Sequence, residues 1–126
     1  MISKAEILMG RDKDFPLDAE MQANLQKLLT AVNLFRQHYG KPMTVSSGYR
    51  PAAINAKVKG AAKKSNHMKC LAVDFKDTDG SIDKFCTDNL HILEACGLWL
   101  EHPDSTPNWC HLQCVAPKSG NRIFKP

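Results

Sequence analysis

Two stretches set the terms on which this chain folds: Ser65-Asn66-His67-Met68-Lys69-Cys70-Leu71-Ala72-Val73-Asp74 and, far downstream, Trp109-Cys110-His111. His67, Asp74 and His111 each offer a lone pair suited to a borderline metal ion. Three protein ligands with an open fourth position define a catalytic zinc site, whereas a structural site is closed by four ligands, usually including cysteines. A chain that uses all three must bring distant segments to one point. The segment after Cys70 reads as a strand, with Leu71, Val73 and Phe75 on one face and Ala72 and Asp74 on the other. Asp74 then points away from the aliphatic face, beside an alanine small enough to leave room for an ion. Taken alone, His67 and Asp74 read equally well as a surface histidine followed by a solvated aspartate.

A length of 126 residues, 43% hydrophobic and 24% charged, is that of one soluble globular domain spanning 1–126, able to bury a core without staples. The net charge of +4 fits an anionic partner such as a cell wall or nucleic acid, and equally a plain basic protein. Met1 to Asp14 holds only Ile7-Leu8-Met9 as an apolar run, so neither a signal peptide nor a membrane span is expected, and synthesis is expected in the cytoplasm. Five cysteines without a C-x-x-C pair argue against a disulfide framework and against a zinc finger. Cys110 and Cys114 alternate with His111 and Gln113 and are expected to face the core.

Residues 1–17 read as a lead-in without periodicity. Asp18 is a helix N-cap, and Met21, Leu25, Leu28, Val32, Phe35 and Tyr39 recur at helical spacing until Gly40-Lys41-Pro42. This stripe is core packing. Met43 to Ser46 reads as a strand ended by the turn Ser47-Gly48-Tyr49-Arg50. Pro51 starts a brief helix through Val58, closed by Gly60, and Ala61 to Lys64 form a mobile basic loop. Lys57, Lys59, Lys63 and Lys64 read as a solvated charge run more readily than as a polymer-binding patch. Asp77 to Gly80 is a turn, and Ser81 caps a second helix carrying Ile82, Phe85, Cys86, Leu93 and Cys96, stopped by Gly97. Leu98 to Glu101 and Trp109 to Val115 are strands joined by the long loop His102 to Asn108, and Ala116 to Pro126 is a basic surface tail.

Ser47-Gly48-Tyr49-Arg50, then Ser65-x-His67 and Asp74, then Trp109-x-His111, resemble the zinc D-alanyl-D-alanine carboxypeptidase and L-alanyl-D-glutamate endopeptidase family over roughly residues 20 to 115. That family shares its fold with the hedgehog signalling domain and lysostaphin-type enzymes. The resemblance implies that His67, Asp74 and His111 bind zinc, and that Arg50 grips a substrate carboxylate, to which a planar fork suits better than lysine. It also places Ser65, as an orienting hydrogen-bond donor, with Tyr49 and Trp109 on the substrate side. Two departures stand out. Cys70 replaces a usual glycine, and Asn108, three residues before His111, replaces the acid that many relatives use as catalytic base.

Strand parity supplies another base. In a regular antiparallel hairpin Trp99 and Glu101 share one face, and Trp109, His111 and Gln113 share one of theirs. A register pairing Glu101 near Trp109 sets its carboxylate on the face of His111. Asp104 and His102, in the loop, are the runners-up, and a bulge would leave Glu101 as an exposed strand-end carboxylate. His38 and His91 are expected to play no part in metal binding.

The expected architecture is α+β: helices packed on a small, mostly antiparallel sheet whose other face carries zinc. The expected activity is hydrolysis of amide bonds in peptidoglycan stem peptides, by a monomer without nucleic-acid or membrane partners. Small size and the lack of an export signal point to a phage or prophage endolysin, or a related bacterial hydrolase released by other means. A zinc-bearing wall-binding module without catalysis is the alternative. A basic nucleic-acid binder fits less well, since no such motif is present and the aromatics sit at core-like positions.

Overall fold

The computed structural model describes residues 1–59, 61 and 63–126. Its scaffold is helix α2 (Ala19–Tyr39), started by the Asp18 carboxylate accepting the Met21 N–H at 2.8 Å and ended by Gly40 in the left-handed conformation. Leu25, Leu28, Ala31, Val32 and Phe35 form its buried face.

That face packs on a sheet whose five strands, among the described residues, run in the order β1-β2-β4-β3-β5. They are β1 (Val45–Ser47), β2 (Ala72–Lys76), β3 (Trp99–Glu101), β4 (Trp109–Gln113) and β5 (Ile123–Phe124). All pairings are antiparallel except β3 with β5. The α+β architecture is therefore as expected. Val73 and Phe75 of β2, Cys110 and Leu112 of β4 and Leu100 of β3 fill the core beneath α2. All five cysteines are buried and free, Cys110 and Cys114 included.

The ends of the chain depart from the expected lead-in and tail. Lys4–Leu8 form helix α1, opened by a reciprocal capping box between Ser3 and Glu6, and Ile2, Ile7 and Leu8 are buried. The apolar pair Ile123-Phe124 forms an edge strand instead of a loose tail. Arg122 fastens it, stacking 4.3 Å over the Trp99 ring and donating to the Leu98 carbonyl at 2.9 Å.

The expected helix from Ser81 to Cys96 is two helices, α4 (Ser81–Asp88) and α5 (Leu90–Cys96), with Asn89 breaking between them at φ −135° and ψ 52°. The N-cap of α4 is Gly80, and its first-turn N–H groups, those of Ile82 and Asp83, are accepted by the Asp77 carboxylate, each at 2.9 Å. Ser81 bonds Asp79 instead. Helix α3 is only Ala52–Asn55 and stops short of Val58. Gly60, the expected helix stop, and Ala62 of the basic loop lie outside the described residues. Among the described residues no helix is long and apolar enough to cross a membrane.

Candidate metal centre

In the β2–β4 ladder Asp74 sits directly opposite His111. Since Val73, Phe75, Cys110 and Leu112 face α2, alternation turns Asp74 and His111 to the other side of the sheet. His67 arrives from the 3-10 turn Asn66–Lys69, whose end is the left-handed Cys70 at φ 61°. Cys70, where the sequence resemblance implies glycine, thus takes a positive φ, and it does so as a fully buried cysteine. Asp74 Oδ1 lies 2.8 Å from His111 Nδ1 and 3.3 Å from His67 Nε2.

The remaining nitrogen of each ring is already committed. His67 Nδ1 is 2.9 Å from the Gly48 carbonyl oxygen, which can only accept, so Nδ1 carries the proton. His111 Nε2 is 2.9 Å from Gln113 Oε1. With both ring protons turned outward, two nitrogen lone pairs and a carboxylate oxygen converge, all within 4.8 Å of one another. Such a cluster is repulsive unless a metal cation, or a proton on an imidazole, stands among the three atoms. Two imidazoles and one carboxylate are the donor set of a catalytic zinc site, and the residues fit that metal. His38 and His91 are exposed and outside this cluster.

Protonation of the imidazoles serves the same end when no metal is bound. Burial opposes the charge on Asp74, but hydrogen bonds from His111 and His67 outweigh it and hold the carboxyl well below its usual range. Burial lowers His67 despite Asp74. Burial would lower His111 as well, but its bond to Asp74 and that residue's charge raise it.

A cleft of about 620 Å³ opens over the cluster, and Arg50, Ser65, Glu101, Trp109 and Phe124 help to line it. Glu101 Oε1 is 4.0 Å from His111 Nδ1. The observed register pairs Trp99 with Gln113 and Leu100 with Leu112, and its next step sets Glu101 opposite His111. The expected pairing with Trp109 is therefore two residues out, a shift that preserves parity and leaves the carboxylate on the expected face. Burial raises the Glu101 carboxyl, with His111 opposing and Asp74 adding to the rise.

Other expected site residues are placed differently. Tyr49 is a core residue, 3% exposed, with its hydroxyl donating to the Phe15 carbonyl at 3.0 Å, and it does not line the cleft. The Ser65 hydroxyl accepts from the His67 N–H at 3.2 Å and from Arg50 Nη2 at 3.3 Å, so it ties Arg50 to the histidine turn. Asp104 is 83% exposed in its side chain and pairs with His102 outside the cleft. Asn108 takes a left-handed turn at φ 75°, its carbonyl accepting the Asp77 N–H at 2.9 Å, and also stands away from the cleft.

Three contributors carry no sequence-based assignment: the Gly48 carbonyl, Gln113 and Phe124. Gln113 shares the face of His111 by alternation, a signal the sequence does contain. Nothing in the sequence places Phe124 edge-on to His111 at 6.2 Å.

Three side chains that could hold a metal, in a cleft with a carboxylate beside them, make the arrangement of a metallohydrolase. The Peptidase M15 family profile matches residues 4–95, nearly three quarters of the chain, and the chain belongs to that family. Its members are zinc-dependent peptidases acting on peptidoglycan-type substrates. Arg50, Ser65, His67 and Asp74 lie within the match, whereas Glu101 and His111 follow it. No curated protein and no solved structure matches the chain.

Proposed function

We propose that this chain hydrolyses an amide bond in peptidoglycan stem peptides, with zinc held by His67, Asp74 and His111. Glu101 is the general base and Arg50 the carboxylate anchor. The observation that carries this reading is the shared cleft, which sets the Glu101 carboxylate beside His111 and the Arg50 guanidinium on the same walls.

Bound there, zinc supplies a Lewis acid that polarises the scissile carbonyl and acidifies water. Glu101 takes a proton from the attacking water as the new C–O bond forms, then delivers it to the amine nitrogen as the C–N bond breaks. A half-buried carboxylate with a raised pKa suits both steps, since it accepts readily and still ionises. Arg50, steadied by Ser65, offers a fork to a stem-peptide carboxylate, while Trp109 and Phe124 supply apolar walls. Lys59 and Lys64 on the same cleft suit an anionic polymer.

We further read the chain as a single-domain, monomeric, endolysin-type wall hydrolase. A wall-binding module without catalysis draws its support from Asn108, which cannot take a proton; Glu101 fills the role from another strand.

Digestion of purified peptidoglycan, followed by mass spectrometry of the released fragments, tests the reading. Cleavage of one stem-peptide bond, abolished by chelation and restored by zinc, is expected. Zinc binding without any cleavage would favour the binding module.

A further inference from the structure

His111 can present only one ring nitrogen to a metal, and the choice is made at the opposite side of the ring. Gln113 Oε1 is 2.9 Å from Nε2, and the Gln113 amide nitrogen is 2.8 Å from the Val115 carbonyl oxygen. Because that carbonyl can only accept, it settles which way the Gln113 amide points: NH2 toward Val115, oxygen toward His111. An oxygen acceptor at Nε2 requires a proton there, leaving the Nδ1 lone pair turned to Asp74 and His67. Gln113 is 3% exposed, so water does not readily replace it as acceptor, and the Phe124 ring stands edge-on to the imidazole at 82°.

We infer that Gln113 is the positioning residue of the metal centre, fixing the tautomer and ring plane of His111 so that Nδ1 is the ligand atom. This rests on the zinc reading given above. His67 is held in the same manner by the backbone carbonyl of Gly48, but a side chain holds His111, so it can be replaced. Outer acceptors of this kind are worth about 10–100-fold in metal affinity.

The test uses the full chain with Gln113→Leu, which keeps the volume and loses the acceptor, and Gln113→Glu, which keeps an acceptor but loses the donor to Val115. Zinc affinity is measured by competition with a chromophoric chelator, and the hydrogen-bonded Nε2–H of His111 is sought by NMR in the zinc-loaded wild type. Gln113→Glu is expected to bind zinc at least as tightly as wild type, and Gln113→Leu more weakly by about 10–100-fold. A merely structural role predicts the opposite for Gln113→Glu, which should then be as poor as Gln113→Leu because both lose the Val115 bond. That result, or wild-type affinity in Gln113→Leu, overturns the inference. If Gln113→Leu does not fold, the Gln113→Glu affinity and the wild-type Nε2–H signal decide the matter. Wild-type chain that binds no zinc would instead remove the metal reading, and this inference with it.

Discussion

His67 Nδ1 stands 2.9 Å from the Gly48 carbonyl oxygen, and Gly48 rests on helix α1, where an added Cβ would meet the Ile7 carbonyl oxygen at 2.1 Å. The neighbouring Tyr49 N–H bonds that same Ile7 oxygen at 2.8 Å, so the proposed ligand His67 is oriented by a turn clamped against the first helix. Gly48→Ala cannot be absorbed by rotating a side chain, because the obstacle is backbone. We predict a loss of about 3 kcal/mol or more in urea unfolding, beyond ordinary overpacking, together with weakened zinc binding. A variant within about 0.5 kcal/mol of wild type, the range of an ordinary surface change, would show that α1 does not press on Gly48.

Asp83 is 7% exposed, with Oδ1 buried and without a hydrogen-bond partner. Burial pushes its carboxyl up to about 6; the Cys110 thiol opposes the rise and Asp77 adds to it. An unfolded aspartate titrates near ~3.9, so between these values the unfolded chain releases a proton that the folded chain keeps. This contribution to stability is full below about pH 4 and lost as pH rises through about 6. Asp83→Asn should therefore gain on wild type as pH rises, the gap widening by on the order of 2 kcal/mol between pH 4 and 7.5. Denaturant melts at the two pH values measure it, and a gap that does not change with pH refutes the placement.

Arg50→Lys keeps the charge but replaces a fork with a point. Its zinc content and unfolding midpoint should match wild type, while kcat/KM on stem peptides falls about 10–100-fold, the worth of a charge-assisted hydrogen bond. Wild-type kinetics would make Arg50 a structural partner of Ser65 and nothing more.

Periodicity makes α2, β2 and β4 legible, and alternation alone puts Glu101 on the face of His111 even though the expected register is two residues out. Parity is robust to even shifts; register is set by long-range pairing that a local pattern does not contain. Helix α1 has five residues and β5 has two, too few for either to show a period, and both are held by tertiary contacts. Tyr49 turns inward, away from the expected substrate side, because adjacency to Arg50 in a motif says nothing about which residue of a turn points to the core. Asn108 stands out in the sequence for its missing acidity, whereas its conformation is the relevant property, since asparagine tolerates the left-handed turn that opens β4. The helix break at Asn89 is hidden in the sequence because apolar residues of both α4 and α5 continue toward the core across it.

Glu101→Gln tests the proposed chemistry most directly, because it preserves shape while removing the proton acceptor beside His111. Zinc per chain and stem-peptide turnover, measured on the same preparation, should separate. Zinc stays at one ion per chain, and turnover falls by ~10²–10⁴-fold, the usual worth of a general base. Turnover close to wild type in the zinc-loaded Glu101→Gln chain would contradict the assignment of Glu101 as the base.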